Sequence, residues 1–348
     1  MPPRLLSALL STTVLLVAPV VAEAHSGSKR SLPVSVPITI VGGQATPTGA
    51  HPIVKVRVGD SKPVPVLLDT GSTGLQIYAP AIDTGPGGGV TVTSQRDSIT
   101  YAGGTRFIGV QARAVIRIGH ESTVASVPFG LVQDASCIPS KPACGTAGGV
   151  SQPMPDGTYG VLGIGLRENH QGLFSPILGM RGRLGRTWSI HLKGGSGALV
   201  LGARIPSVPR AAATVQLHSQ GTSAGHAAWA DQHVRLCDAV GTVQACVPGL
   251  FDTGTFSMQL WGSPLNTAPT EPGTNRLAAG TSVSVSVPGA ATPFWAFSAG
   301  VTKSEDALTV KSGSHAPFVN YGVQAFYAFT VAYDETHGTL TLTRPKGP

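Results

Sequence analysis

The chain has 348 residues and a formal net charge of +7, with 41% hydrophobic and only 12% charged residues. That balance excludes a disordered polyelectrolyte and is enough for two compact domains. The basic residues are scattered, the densest group being Arg181, Arg183 and Arg186, so a solvated surface accounts for the charge and no nucleic-acid partner is expected.

At the N-terminus Arg4 precedes an apolar run from Leu5 to Ala22, and Ala22-Glu23-Ala24 has the small-x-small pattern that a signal peptidase cuts. Residues 1–24 are therefore expected to be a signal peptide, with the mature chain secreted or placed in the cell envelope or periplasm. An uncleaved membrane anchor is the competing reading, and the run is at the short limit for a bilayer span. No other stretch could cross, so no membrane contact is expected after cleavage. Residues 25–37 read as a flexible leader.

From Ile38 onward, short apolar alternations separated by Gly, Pro, Asp and Ser predict an all-β body. Predicted strands include Ile53–Val58, Val64–Leu68, Val110–Ile118, Ala198–Leu201, Val283–Val287 and Phe326–Ala332. Helical pattern is confined to short pieces, one over Ser175–Leu184 with Ser175 as cap and Pro176 in the first turn, another near Trp261. Pro206 and Pro209 interrupt any strand between Ile205 and Ala213, which divides the chain into an N-terminal lobe, 38–207, and a C-terminal lobe, 208–348. The four cysteines fall into two local pairs, Cys137 with Cys144 and Cys237 with Cys246, suited to disulfide loops in an oxidising compartment. A four-Cys zinc site would need paired C-x-x-C spacing, which is absent.

An internal repeat carries the chemistry. Val66-Leu67-Leu68-Asp69-Thr70-Gly71-Ser72-Thr73-Gly74-Leu75 is matched by Pro248-Gly249-Leu250-Phe251-Asp252-Thr253-Gly254-Thr255-Phe256-Ser257. In each, a strand delivers an Asp into a tight turn where Gly permits close backbone approach and the hydroxyls supply local hydrogen bonds. Two such carboxylates face to face cannot both ionise comfortably, so they share one proton and act as acid and base together. A third tripeptide, Asp83-Thr84-Gly85, lacks a following hydroxyl and reads as a loop.

At these residues the chain resembles the pepsin-like aspartic peptidases, over residues 50 to 343 approximately. The resemblance implies a bilobed double β-barrel with the active-site cleft between two related lobes. His51 to Gly59 is similar to the strand and turn before the first catalytic loop. Asp97-Ser98-Ile99-Thr100-Tyr101 with Gly103-Gly104 resembles the flap, with Tyr101 at the flap-tyrosine position. Tyr159 to Gly165 resembles the apolar-apolar-Gly segment beside the first Asp loop, Trp188 to Leu192 with Gly197 to Gly202 the close of the first lobe, and Asn320-Tyr321-Gly322 through Asp334 the matching segment of the second. The activity implied is that of a secreted aspartic endopeptidase, monomeric, acting on a polypeptide and needing no cofactor or metal. Asp69 and Asp252 would hold the nucleophilic water, and Ser72 and Thr255 would bond the outer carboxylate oxygens. Gly71 and Gly254 would donate N–H groups, Thr70 and Thr253 would interlock beneath, and Tyr101 with Gly103 would close over substrate.

Departures from the family are equally specific. Its usual Trp after the first motif is replaced by Gln76, whose amide could instead serve Tyr101, and neither Cys pair reproduces the full pepsin disulfide set. A short leader, no Asn-x-Ser/Thr site and a preference for Arg over Lys lean towards a bacterial member. The alternative function is a catalytically inactive pepsin-like protein that binds through the same cleft. Gly221-Thr222-Ser223-Ala224-Gly225 fits the serine-hydrolase pattern, but its polar flanks offer no helix and it reads as an inter-strand loop. No His-Glu-x-x-His occurs, so a zinc peptidase has no support.

Overall fold

The computed structural model describes residues 33–42, 50–146, 148–206, 211–300 and 308–345. The expected signal peptide lies outside these residues. The first strand, Val34–Val41, begins inside the segment expected as a leader, because Val36, Ile38 and Ile40 bury one face while the backbone pairs with Ser196–Leu201 and His51–Val58.

Among the described residues strands dominate, with a single short α-helix, Gln324–Ala328. A fifteen-stranded and a seven-stranded sheet make up the body, and a two-stranded hairpin completes it. The larger sheet takes strands from both sides of residue 207. The late strands Ala213–Gln216, Thr330–Asp334 and Thr339–Thr343 join it through Thr187–Lys193, so both halves of the chain share hydrogen bonds in one layer.

Each sheet contains the same device. Val64–Asp69 pairs in parallel with Gly160–Ile164, setting Leu67 opposite Val161 and Asp69 opposite Gly163, and Gly160–Ile164 lies antiparallel to Thr73–Tyr78. In the second half Val243–Leu250 pairs in parallel with Phe318–Asn320, setting Leu250 opposite Asn320, and Phe318–Asn320 lies antiparallel to Met258–Trp261. A third strand threaded between the arms of each Asp loop thus clamps it from both sides. Covered on both faces, Gly160–Ile164 is buried throughout, which explains its unbroken apolar and glycine composition.

Three sequence expectations change. Ser175–Leu184 forms two 3-10 turns, Pro176–Gly179 and Gly182–Gly185; Ser175 caps the first by accepting from the Ile177 N–H at 3.3 Å. Trp261 ends the strand Met258–Trp261, since Met258 and Leu260 alternate into the core and the strand pairs with Leu308–Lys311. Phe326 lies in the helix: after Gly322 the chain turns, buries Gln324, Ala325 and Phe326 together, and returns as the strand Thr330–Asp334. The sulfurs of Cys137 and Cys144, and of Cys237 and Cys246, lie at 2.16 and 1.98 Å, bonding distance for disulfides. No helix among the described residues is long and apolar enough to cross a membrane.

Where the two halves share the large sheet, Trp188 stacks on Tyr333 with ring centroids 5.8 Å apart, both side chains buried. Truncation would open a cavity between strands from opposite ends of the chain. Trp188→Ala should therefore lower stability by roughly 3–5 kcal/mol, measured as a fall in the urea midpoint.

Candidate active site

The two clamped loops meet through their threonines. The Thr70 N–H donates to the Thr253 hydroxyl at 3.0 Å, and the Thr253 N–H donates to the Thr70 hydroxyl at 2.9 Å. Each hydroxyl then donates across the interface, Thr70 to the Phe251 carbonyl at 2.8 Å and Thr253 to the Leu68 carbonyl at 2.7 Å. All four bonds are buried and obey the same approximate two-fold symmetry as the repeat.

This lattice presses two carboxyls together. Asp69 accepts from the Gly71 N–H at 2.7 Å and the Ser72 hydroxyl at 2.5 Å; Asp252 accepts from the Gly254 N–H at 2.8 Å and the Thr255 hydroxyl at 2.6 Å. A β-carbon at Gly71 would strike the Asp252 carboxyl, and one at Gly254 would strike that of Asp69, so only glycine permits the approach. Each Asp is 6% exposed. Burial, and next the charge of Asp252, push the Asp69 carboxyl up to about 7.

Two residues that the sequence reading assigned no role touch this constellation. Asn320 donates its side-chain amide to the outer Asp252 oxygen at 2.7 Å, beside the Thr255 bond, while its own oxygen accepts from the Gly322 N–H. Its counterpart by strand register is Val161, so only one of the two carboxyls gains an amide donor. Arg167 sends one guanidinium nitrogen to Asp231 at 2.6 Å and another to the Gly71 carbonyl. The Asp231 carboxylate also accepts from the Leu166 N–H at 2.6 Å. Burial works against the Arg167 charge, but the carboxylates of Asp231, then of Asp69 and Asp252, outweigh it and hold the guanidinium protonated. A cation three residues past the Gly160–Ile164 run is the one sequence signal that could have flagged it.

Tyr101 sits at the turn between the strands Val90–Thr100 and Thr105–Ala114, its N–H donating to the Thr105 carbonyl and its ring edge-on to Phe107 at 5.4 Å. Burial, and then the charges of Asp69 and Asp97, push its phenol well above the usual range. Gln76 makes no hydrogen bond to Tyr101. Its strand places it opposite Gly130, and its buried amide lies against the Asp97 carboxyl in the space a side chain at 130 would fill. Gly103, at the tip of the turn, borders cavities beside both aspartates: about 410 Å³ near Asp69, Tyr101 and Met154, and about 730 Å³ near Asp252 and Trp261. The loop closed by Cys137 and Cys144 supports this tip, since the Ile138 N–H donates to the Gly104 carbonyl and the Lys141 ammonium to that of Ala102.

The competing motifs fall elsewhere. Asp83 is an exposed loop residue whose carboxylate accepts from its own Gly85 N–H at 2.9 Å. Ser223 ends the strand Ser219–Ser223 and pairs with His226, leaving Ala224 and Gly225, both at positive φ, as a tight hairpin turn with no helix behind it.

In sequence, residues 34–340 match the family described as PE-PGRS C-terminal aspartyl peptidase-like domain. Comparison with curated proteins yields no match. Among solved structures, the aspartic proteinase from Irpex lacteus is similar with a TM-score of 0.60 at 17% identity, over 90% of this chain and 98% of that one. At that identity the likeness speaks to the fold.

Behind Asn320, Tyr321 stacks on Phe251 at 4.8 Å and donates its hydroxyl to the buried Asp238 carboxyl, 3.1 Å from both oxygens. Burial pushes Asp238 up to about 7 against the lowering effect of that bond. The folded state then holds a proton that the unfolded chain releases near the usual value of 3.8. Stability should fall as pH rises between these values. Asp69 acts in the same sense, so Asp238→Asn should flatten the fall without removing it, as read from urea midpoints at the two ends of that range.

Proposed function

The chain belongs to the PE-PGRS C-terminal aspartyl peptidase-like domain family, and from this premise we propose that it is a secreted aspartic endopeptidase whose Asp69 and Asp252 activate a water molecule. The observation that carries the reading is the contact of two buried carboxyls, each held by an N–H and a hydroxyl of its own loop. A pair so placed retains one proton to relieve its repulsion. Asn320 adds a donor to the outer Asp252 oxygen, and Asp69, raised by burial and by its neighbour's charge, is assigned the proton.

The chemistry follows from that division. Asp252 takes a proton from water as the water oxygen bonds to the scissile carbonyl carbon, and Asp69 gives its proton to the carbonyl oxygen. In the second step Asp252 returns its proton to the leaving nitrogen, the carbon–nitrogen bond breaks, and Asp69 regains a proton from the collapsing diol. Arg167 and the Thr70–Thr253 bonds keep the first loop in register during the exchange. Tyr101 and Gly103 cover the substrate, which lies between an N-terminal lobe, 38–207, and a C-terminal lobe, 208–348. Removal of a signal peptide over 1–24 fits an oxidising destination in which the two Cys pairs are joined.

Asp69→Asn and Asp252→Asn should each reduce pepstatin-sensitive cleavage of a denatured protein by about 10³-fold or more while leaving the circular dichroism spectrum unchanged. Full activity in either variant would refute the dyad; a wild-type chain that binds pepstatin but cleaves nothing from acid to neutral pH would be a binding protein. Asn320→Ala withdraws a donor from the Asp252 anion. Its acid limb of kcat/KM should accordingly move up by about one pH unit, and a pH profile identical to wild type would show that Asn320 does not bias the pair.

A further inference from the structure

The cavity of about 730 Å³ beside Asp252 is lined by cations from both halves of the chain. Lys141 enters from the disulfide-closed loop, its stem against Gly104 and its ammonium donating to the Ala102 carbonyl, which leaves two of its three hydrogens free of that bond. Lys311 enters from the strand Leu308–Lys311, its ammonium 5.6 Å from the ring centroid of Trp261. His315 packs edge-on to the same indole at 4.8 Å.

Among the described residues no anion pairs with either lysine. Among the described residues Asp252 is the only carboxylate lining the cavity, and it is engaged by Gly254, Thr255 and Asn320. Neither lysine forms a salt bridge within the described residues. The ammonium of Lys311 is held below its usual value, first by burial and then by the charge of Lys141, so the two cations feel each other. Their repulsion is relieved when a ligand brings a negative charge between them.

We propose that this cavity is a specificity pocket for an acidic side chain, Asp or Glu, of the polypeptide substrate, set by Lys311 and Lys141. The indole of Trp261 would contact the side-chain methylenes while the ammoniums take the carboxylate. The proposal rests on the peptidase reading above and names the class of substrate it selects. An acidic residue so bound would lie close to the cleaved bond, because the same cavity is bounded by Asp252 and by the turn residue Gly103.

Digestion of a synthetic peptide library randomised on both sides of the cleaved bond tests it. The wild-type protein should favour Asp and Glu over Asn and Gln at one position by roughly tenfold, the scale of one partly shielded charge pair. Lys311→Glu should invert the preference at that position towards Lys and Arg, and Lys141→Glu should weaken it. Cleavage without any acid-preferring position, or with the same preference in Lys311→Glu, overturns the pocket and leaves the peptidase standing. If no peptide is cleaved, fluorescence anisotropy of matched Glu and Gln peptides on Asp69→Asn decides. Tighter binding of the Glu peptide, reversed by adding Lys311→Glu, upholds the pocket and removes the peptidase; equal binding overturns the pocket.

Discussion

Everything at this site depends on the reciprocal hydrogen bonding of Thr70 and Thr253. Bringing two carboxyls out of water and against each other is unfavourable on both counts, desolvation and repulsion. A surface contact would let them drift apart. Four buried bonds between the turns, anchored on the Leu68 and Phe251 carbonyls just before each Asp, tie the carboxyl spacing to backbone geometry. The threaded strands Gly160–Ile164 and Phe318–Asn320 then prevent either turn from backing away. The rest of the molecule supplies the two rigid sheets from which these turns project.

The two-fold symmetry of the lattice is broken at the carboxyls. A symmetrical dyad shares its proton equally and assigns no roles. Here the register position held by Val161 in the first half is held by Asn320 in the second, and its amide serves only Asp252. On the other side, the Arg167–Asp231 pair spans the two halves and holds the Gly71 carbonyl, bracing the Asp69 loop. One loop is thus given an extra donor for its carboxyl, and the other an extra mechanical tie.

The Asp-Thr-Gly loops were legible because their chemistry is local: carboxylate, glycine and hydroxyl must stand within four residues, so the pattern survives in one dimension. The all-β character was legible from alternation for the same reason. Asn320, Arg167 and the Gln76–Asp97 contact were not, since each acts on a residue 50 or more positions away only after strands have registered, or, for Gln76 and Asp97, across an intervening Gly130. Sequence distance also hid the helical turn at Phe326. Its apolar residues read as strand, and only the need to return the chain from Gly322 to the shared sheet makes them helical.

The buried acids give the molecule a common direction in pH. Asp69, Asp97 and Asp238 are all raised by burial as the leading cause, one in the dyad, one beneath the Tyr101 turn and one behind Asn320. Each is a group that folding protects in its protonated form, so each loses favour as protons become scarce. In the mechanism proposed above the pair keeps one proton, and the neighbouring structure is most stable when Asp97 and Asp238 are protonated. Local stability, and with it the proton that the proposed mechanism requires, therefore weakens on the alkaline side, whereas Arg167, kept charged by surrounding carboxylates, holds its tie throughout.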